Sequence, residues 1–129
     1  MTYTPAPKPT SPPPTGGSIE LHVQFPDDWP WDQVHWQELW TIVEWQDNKG
    51  VWCVIEGWQG TLDDVSIDES GLVWGKKMWW VGVDDLGKGP FRWAIYRSKG
   101  GRLLGRSDVF YLPDSTNEIE SVGVTLGLP

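Results

Sequence analysis

The chain has 129 residues, a normal size for one domain, and is 39% hydrophobic and 13% aromatic. Its formal net charge is −8, from 18 acidic and 10 basic side chains. That balance argues against nucleic-acid binding, which needs a basic stripe to displace counterions from phosphates, and it disfavours anionic lipid surfaces.

Residues 1–17, MTYTPAPKPTSPPPTGG, form a separate regime. Pro5, Pro7, Pro9, Pro12, Pro13 and Pro14 crowd this stretch together with Tyr3. Proline locks its own φ and biases the preceding residue toward extended geometry. The stretch is therefore expected to be extended and polyproline-II-like, reaching about 50 Å. Gly16-Gly17 would be its hinge. Two readings stand. One is a passive tether; the other is an assembly arm, carried by Tyr3 and these prolines, that docks on a neighbouring subunit. The stretch has no basic segment followed by an apolar run, so no secretory signal is expected.

A single domain is expected over residues 18–129, and it reads as β throughout. SIELHVQF (18–25) alternates, with Ile19, Leu21, Val23 and Phe25 on one face and Glu20, His22 and Gln24 on the other. DDWPWDQVHWQELW (27–40) holds four tryptophans in a lead-in loop and the start of the next strand, with Trp29 and Trp31 on the loop across Pro30. Its i, i+4 pair Trp36 and Trp40 gives a short helix candidate, in competition with a strand. LWTIVEW (39–45), the turn DNKG (47–50) and VWCVIE (51–56) form the clearest hairpin. Cys53, the one cysteine, is expected to be a small buried hydrophobe. Residues 57–71 read as loop. A strand follows within GKKMWWVG (75–82), then the corner DDLGKGP (84–90) and the strand FRWAIY (91–96), with Phe91, Trp93 and Ile95 on one face. RLLGRSDVFYL (102–112) is interrupted near Gly105 and Ser107. SVGVTLG (121–127) closes the series with Val122, Val124 and Leu126 inward. About seven strands at this spacing predict an all-β protein, an antiparallel β-sandwich with an extended Pro-rich N-terminal arm. No stretch of about twenty apolar residues exists, so no membrane span is expected.

The order of these pieces resembles an immunoglobulin or fibronectin type III-like sandwich. Three patterns over residues 18–127 carry the resemblance: the hairpin VEWQDNKGVWCVIEGW, the strand GPFRWAIY after a polar corner, and the closing LLGRSDVFYLP. The immunoglobulin cysteine pair is absent, and the corner tyrosine has no clear match. The resemblance implies a scaffold used for adhesion, display and assembly, for which an extracellular or cell-surface setting is favoured. It transfers no site.

No catalytic signature emerges, and the protein is expected not to be an enzyme. GVDDLGKG (82–89) begins like a phosphate-binding loop, but Gly89 stands where Ser or Thr must ligate magnesium, and a strand follows instead of a helix. His22 and His35 adjoin no nucleophile motif. The acid pairs Asp27-Asp28, Asp63-Asp64, Asp68-Glu69 and Asp84-Asp85 are expected to be solvated loop carboxylates, with calcium over 63–70 as the lesser reading. No metal site and no cofactor are expected.

Eleven tryptophans remain. Trp45, Trp52 and Trp93, on predicted central strands, are expected in the core, and Trp40 is expected to pack inward. Trp79 and Trp80 are adjacent and must point to opposite faces of a strand. One small interior is overfilled by eleven indoles, so some indole surface is expected to be exposed. The candidates are Trp29, Trp31, Trp36 and Trp80, with Trp36 open to either placement. Loop indoles can fold back as a lid on the sandwich end, contact a protein, or stack on sugar C–H faces. The favoured function is a non-enzymatic interaction or structural module working through protein–protein contacts, in its strong form a self-assembling filament or array subunit whose arm docks on a neighbour. The partners are then other protein subunits, including the chain itself. The alternative is a carbohydrate-binding module that takes a neutral glycan on exposed tryptophans.

Overall fold

The computed structural model describes residues 16–129. Two four-stranded sheets face each other as a β-sandwich. The first has the order β4 (Asp64–Ile67), β5 (Val73–Val81), β1 (Gly17–Gln24), β8 (Ile119–Thr125). The second has the order β3 (Trp52–Thr61), β2 (Trp40–Gln46), β6 (Phe91–Tyr96), β7 (Leu103–Arg106). Among the described residues there are eight strands rather than seven, and the sandwich is not wholly antiparallel. β8 lies parallel to β1, from Ser18 opposite Ile119 to Gln24 opposite Thr125. A parallel neighbour needs a long crossover, and here most of the chain separates the two strands.

Alternation sets the core. Ile19, Leu21, Val23 and Phe25 are buried from β1 and its end, Val122, Val124 and Leu126 from β8 and its end, and Phe91, Trp93 and Ile95 from β6. Each set points one way because successive strand residues alternate faces. Trp58, Phe91, Trp93 and Phe110 form the aromatic centre, with ring centroids 6.0–6.3 Å apart. The expected turn at 47–50 is present. Asp47 accepts from the N–H groups of Lys49 and Val51, and Gly50 takes a positive φ of 82°.

Most of the stretch 57–71 is strand, with loop at 62–63 and a turn at 68–71. β3 runs on to Thr61, and β4 follows after the chain crosses between sheets at Leu62 and Asp63. A register shift explains why periodicity fails there. Glu44 pairs with Val54 but Ile42 pairs with Gln59, so Val43 faces a run of extra β3 residues. Both Ile55 and Trp58 consequently turn inward and are buried. The helix candidate reduces to one 3-10 turn, Trp36–Glu38. The 84–90 corner holds a second such turn, Val83–Asp85, in which Asp85 is buried and so is not a solvated acid.

Several indoles sit differently from expectation. Trp93 is buried, but Trp45 is only partly covered by the core. Trp40 and Trp52 share the outward face of the second sheet, by their register opposite Thr61 and Gln46. Trp40 donates its indole N–H to Gln59 Oε1 at 3.1 Å, and the Arg92 guanidinium lies 4.2 Å above the Trp52 ring. Cys53 is half-buried rather than buried, because β3 is an edge strand.

Candidate functional site

The connection from β1 to β2 builds the site. After Phe25 the chain coils tightly. Trp29 N–H donates to the Pro26 carbonyl, Trp31 N–H to that of Trp29, and Val34 N–H to that of Pro30. The loop tip therefore folds back over the sandwich end. Trp29, expected at the surface, is 3% exposed. It packs edge-on against Phe25, centroids 5.0 Å apart, and its Nε1 donates to the Val34 carbonyl at 3.3 Å. An indole with its one donor satisfied is a stable core element even on a loop. Two residues on, Trp31 leans on Phe25 at 4.9 Å and remains 38% exposed.

Trp31 and the half-buried Trp36 then meet the β4–β5 hairpin. Together with Val65, Ser66, Ile67 and Val73 they line an open groove of about 400 Å³. Ile67 is 71% exposed, the most exposed large apolar side chain among the described residues. Its position is firmly held. The hairpin turn is pinned by Asp68, whose carboxylate accepts from the N–H groups of Ser70 and Leu72, the Ser70 hydroxyl and the Trp74 indole. The Ser70 hydroxyl first, then the Trp74 indole, hold its pKa down from 3.8 to about 2. On the loop side, Glu38 accepts from His35 N–H and from Arg97, and these bonds, His35 first, lower its pKa.

Trp80 lies elsewhere. It is half-buried on the outward face of β5, opposite Ser18, beside a smaller cavity of about 200 Å³ with Gly17, Glu20, Met78 and Ile119. The structure thus brings Trp31 and Trp36 together, moves Trp29 beneath them, and leaves Trp80 at the other end of the sheet. Val65, Ile67 and Val73 were missed as site residues. The only signal for them is the short alternation Val65, Ile67 in a stretch dominated by turn-forming residues. The assembly-arm residues Tyr3, Pro5, Pro7, Pro9, Pro12, Pro13 and Pro14 lie outside the described residues.

No protein-family model, curated protein or solved structure matches the chain.

Chemically, the groove offers indole and aliphatic surface with charge only at its margins. Among the described residues no three His, Cys, Asp or Glu side chains are grouped to hold a metal ion. No helix among them is long and apolar enough to cross a membrane.

Proposed function

We propose that this chain is a non-enzymatic β-sandwich module that acts through protein–protein contact, in its strong form a self-assembling subunit whose N-terminal arm docks on a neighbour. The exposed rim groove of Trp31, Trp36, Val65, Ile67 and Val73 carries this reading. Covering an exposed Ile gains roughly 1.5–3 kcal/mol, so a soluble domain that leaves Ile67 open keeps a contact surface available. Tryptophan is the side chain most enriched at binding hot spots, and the groove has two.

The immunoglobulin-like reading of the scaffold has support in the strand order. β3-β2-β6-β7 follows a C′-C-F-G sheet, and β4-β5-β1 follows D-E-B. The parallel β8 then takes the place beside β1 that an immunoglobulin gives to its first strand. One observation favours the carbohydrate alternative: Trp31 is exposed among Asp32, Gln33 and Asp28, whose polar groups can bond sugar hydroxyls.

Absolute mass by light scattering on the full chain, over a concentration series, tests the primary reading. Mass rising above the 14.6 kDa of one chain is expected. A constant monomer mass, with tryptophan fluorescence quenched by a soluble neutral polysaccharide, would replace it with the glycan reading.

A further inference from the structure

Ile67 has an unusual place in its sheet. Register puts Val65 opposite Gly75 and Ile67 opposite Val73, so both lie on the face of the sheet that carries Lys77, Trp79 and Val81 along β5. Those three are buried. Ile67 therefore belongs to the core-facing side and yet stands open, because the short edge strand β4 runs out past its cover. The groove is an unfilled extension of the core. It is walled by two indoles and floored by aliphatic side chains.

This is the chemistry that takes proline-rich segments. Proline rings are apolar, and their fixed φ means little backbone freedom is lost on docking into an aromatic-lined groove. The chain itself supplies such a segment. Residues 1–15 contain six prolines and one charged side chain, Lys8. The loop and turn that border the groove carry the exposed acids Asp27, Asp28, Asp32, Asp68 and Glu69, which complement that lysine.

The direction in which the chain enters the sheet favours a neighbouring copy as donor. Gly17 pairs with Val81, while the groove lies at the Val73 end of the same strand, about 27 Å away at about 3.4 Å per residue. The chain runs through β1 toward the groove, so the segment upstream of Gly16 is attached at the remote end. A fifteen-residue segment, if extended at about 3.1 Å per residue, would cover about 46 Å, enough for the groove of an adjoining copy; to enter its own groove it would have to reverse direction at Gly16 and run back about 27 Å.

Resting on the assembly reading above, we infer that a short proline-rich run within residues 3–14 of one copy occupies the rim groove of the next, in a head-to-tail contact. Such a contact is heterologous: arm and groove are different surfaces, so it propagates into open chains unless the rotation closes a ring.

Two full-length variants separate donor from acceptor. The groove variant is Ile67→Asp, which places a carboxylate at a position already open to water and so leaves folding intact. The arm variant carries Pro5→Ser, Pro7→Ser, Pro9→Ser, Pro12→Ser, Pro13→Ser and Pro14→Ser. Each is weighed alone and in mixture by sedimentation equilibrium. The wild-type chain is expected to associate, and each variant alone to lose at least tenfold in association constant. Their equimolar mixture should form a complex of two chains and stop there, since one supplies only an arm and the other only a groove. If the arm variant is monomeric while Ile67→Asp associates like wild type, the arm docks elsewhere; this inference falls and the assembly reading stands. If both variants associate like wild type, the copies meet through another surface and the inference falls. If the wild-type chain is monomeric throughout, both fall, and the groove belongs to a different partner or to the chain's own arm.

Discussion

Replacing Trp29 by Ala removes an indole that is 3% exposed, together with its hydrogen bond to Val34 and its edge-on contact with Phe25. A buried tryptophan hides roughly 150–250 Å², which at about 25 cal/mol per Å² sets an upper bound of about 4–6 kcal/mol. Losing the donor to a buried carbonyl adds about 1 kcal/mol, and partial collapse of the loop onto the gap subtracts a similar amount. The expected cost of Trp29→Ala is about 4 kcal/mol, a large part of the 5–15 kcal/mol by which a domain is typically stable. Trp31→Ala, two residues away but 38% exposed, is expected to cost about 1–2 kcal/mol. Trp29→Phe keeps a ring against Phe25 and should fall between them. Urea unfolding followed by circular dichroism gives all three values from the shift in midpoint at constant slope. A Trp29→Ala cost below about 1 kcal/mol, or a larger cost for Trp31→Ala, would refute the placement of Trp29 in the core and Trp31 on its rim.

The Asp68 carboxylate is expected to titrate near 2, not near 3.8, because the Ser70 hydroxyl and the Trp74 indole bond its charged form. The folded-state value is the lower one, so the turn's stabilisation is present above about 3.8 and is lost as pH falls through about 2. In an NMR titration the Trp74 indole N–H signal should move with Asp68; a midpoint near 3.8 with Trp74 unmoved contradicts the pinned turn. Lys77 is buried, 3.0 Å from Asp63 and 4.5 Å above the Trp79 ring. Asp63 is itself exposed, so Asp63→Ala, which removes the acceptor of Lys77 Nζ and of Met78 N–H, is expected to cost about 1.5–3 kcal/mol by thermal or chemical unfolding, whereas Lys77→Met fills the same space and should stay within about 1 kcal/mol of wild type. Equal costs for the two would show that the buried ammonium group does not depend on Asp63.

Strands whose two faces differ cleanly were legible. β1, β6 and the end of the chain show period-two alternation, and their inward residues are the buried ones. The hairpin at 47–50 announced itself through turn chemistry alone. β3 and β4 were hidden because Gly57, Gly60 and Asp63-Asp64 are turn-forming residues, and because the register shift opposite Val43 breaks the alternation that would have marked a strand. The parallel pairing of β8 on β1 is a contact between distant segments that no local pattern carries. The groove was half legible. Exposure of Trp31 follows from a loop with more indole than one interior accommodates. Trp29 shares its composition and neighbourhood, and only the backbone coil from Pro26 to Val34 decides that it turns in. Ile67 joins Trp31 through tertiary structure alone, across more than thirty residues of sequence.

The measurement that bears most directly on a contact at the rim groove is methyl NMR of the isoleucines over a concentration series. Ile67 lies in the groove, Ile119 is exposed at the far end of the same sheet, and Ile19 and Ile95 are in the core. As the wild-type chain associates, the Ile67 δ1 methyl signal is expected to shift or broaden while Ile19 and Ile95 hold still. Association that leaves Ile67 unmoved and shifts Ile119 instead would contradict the groove as the contact surface.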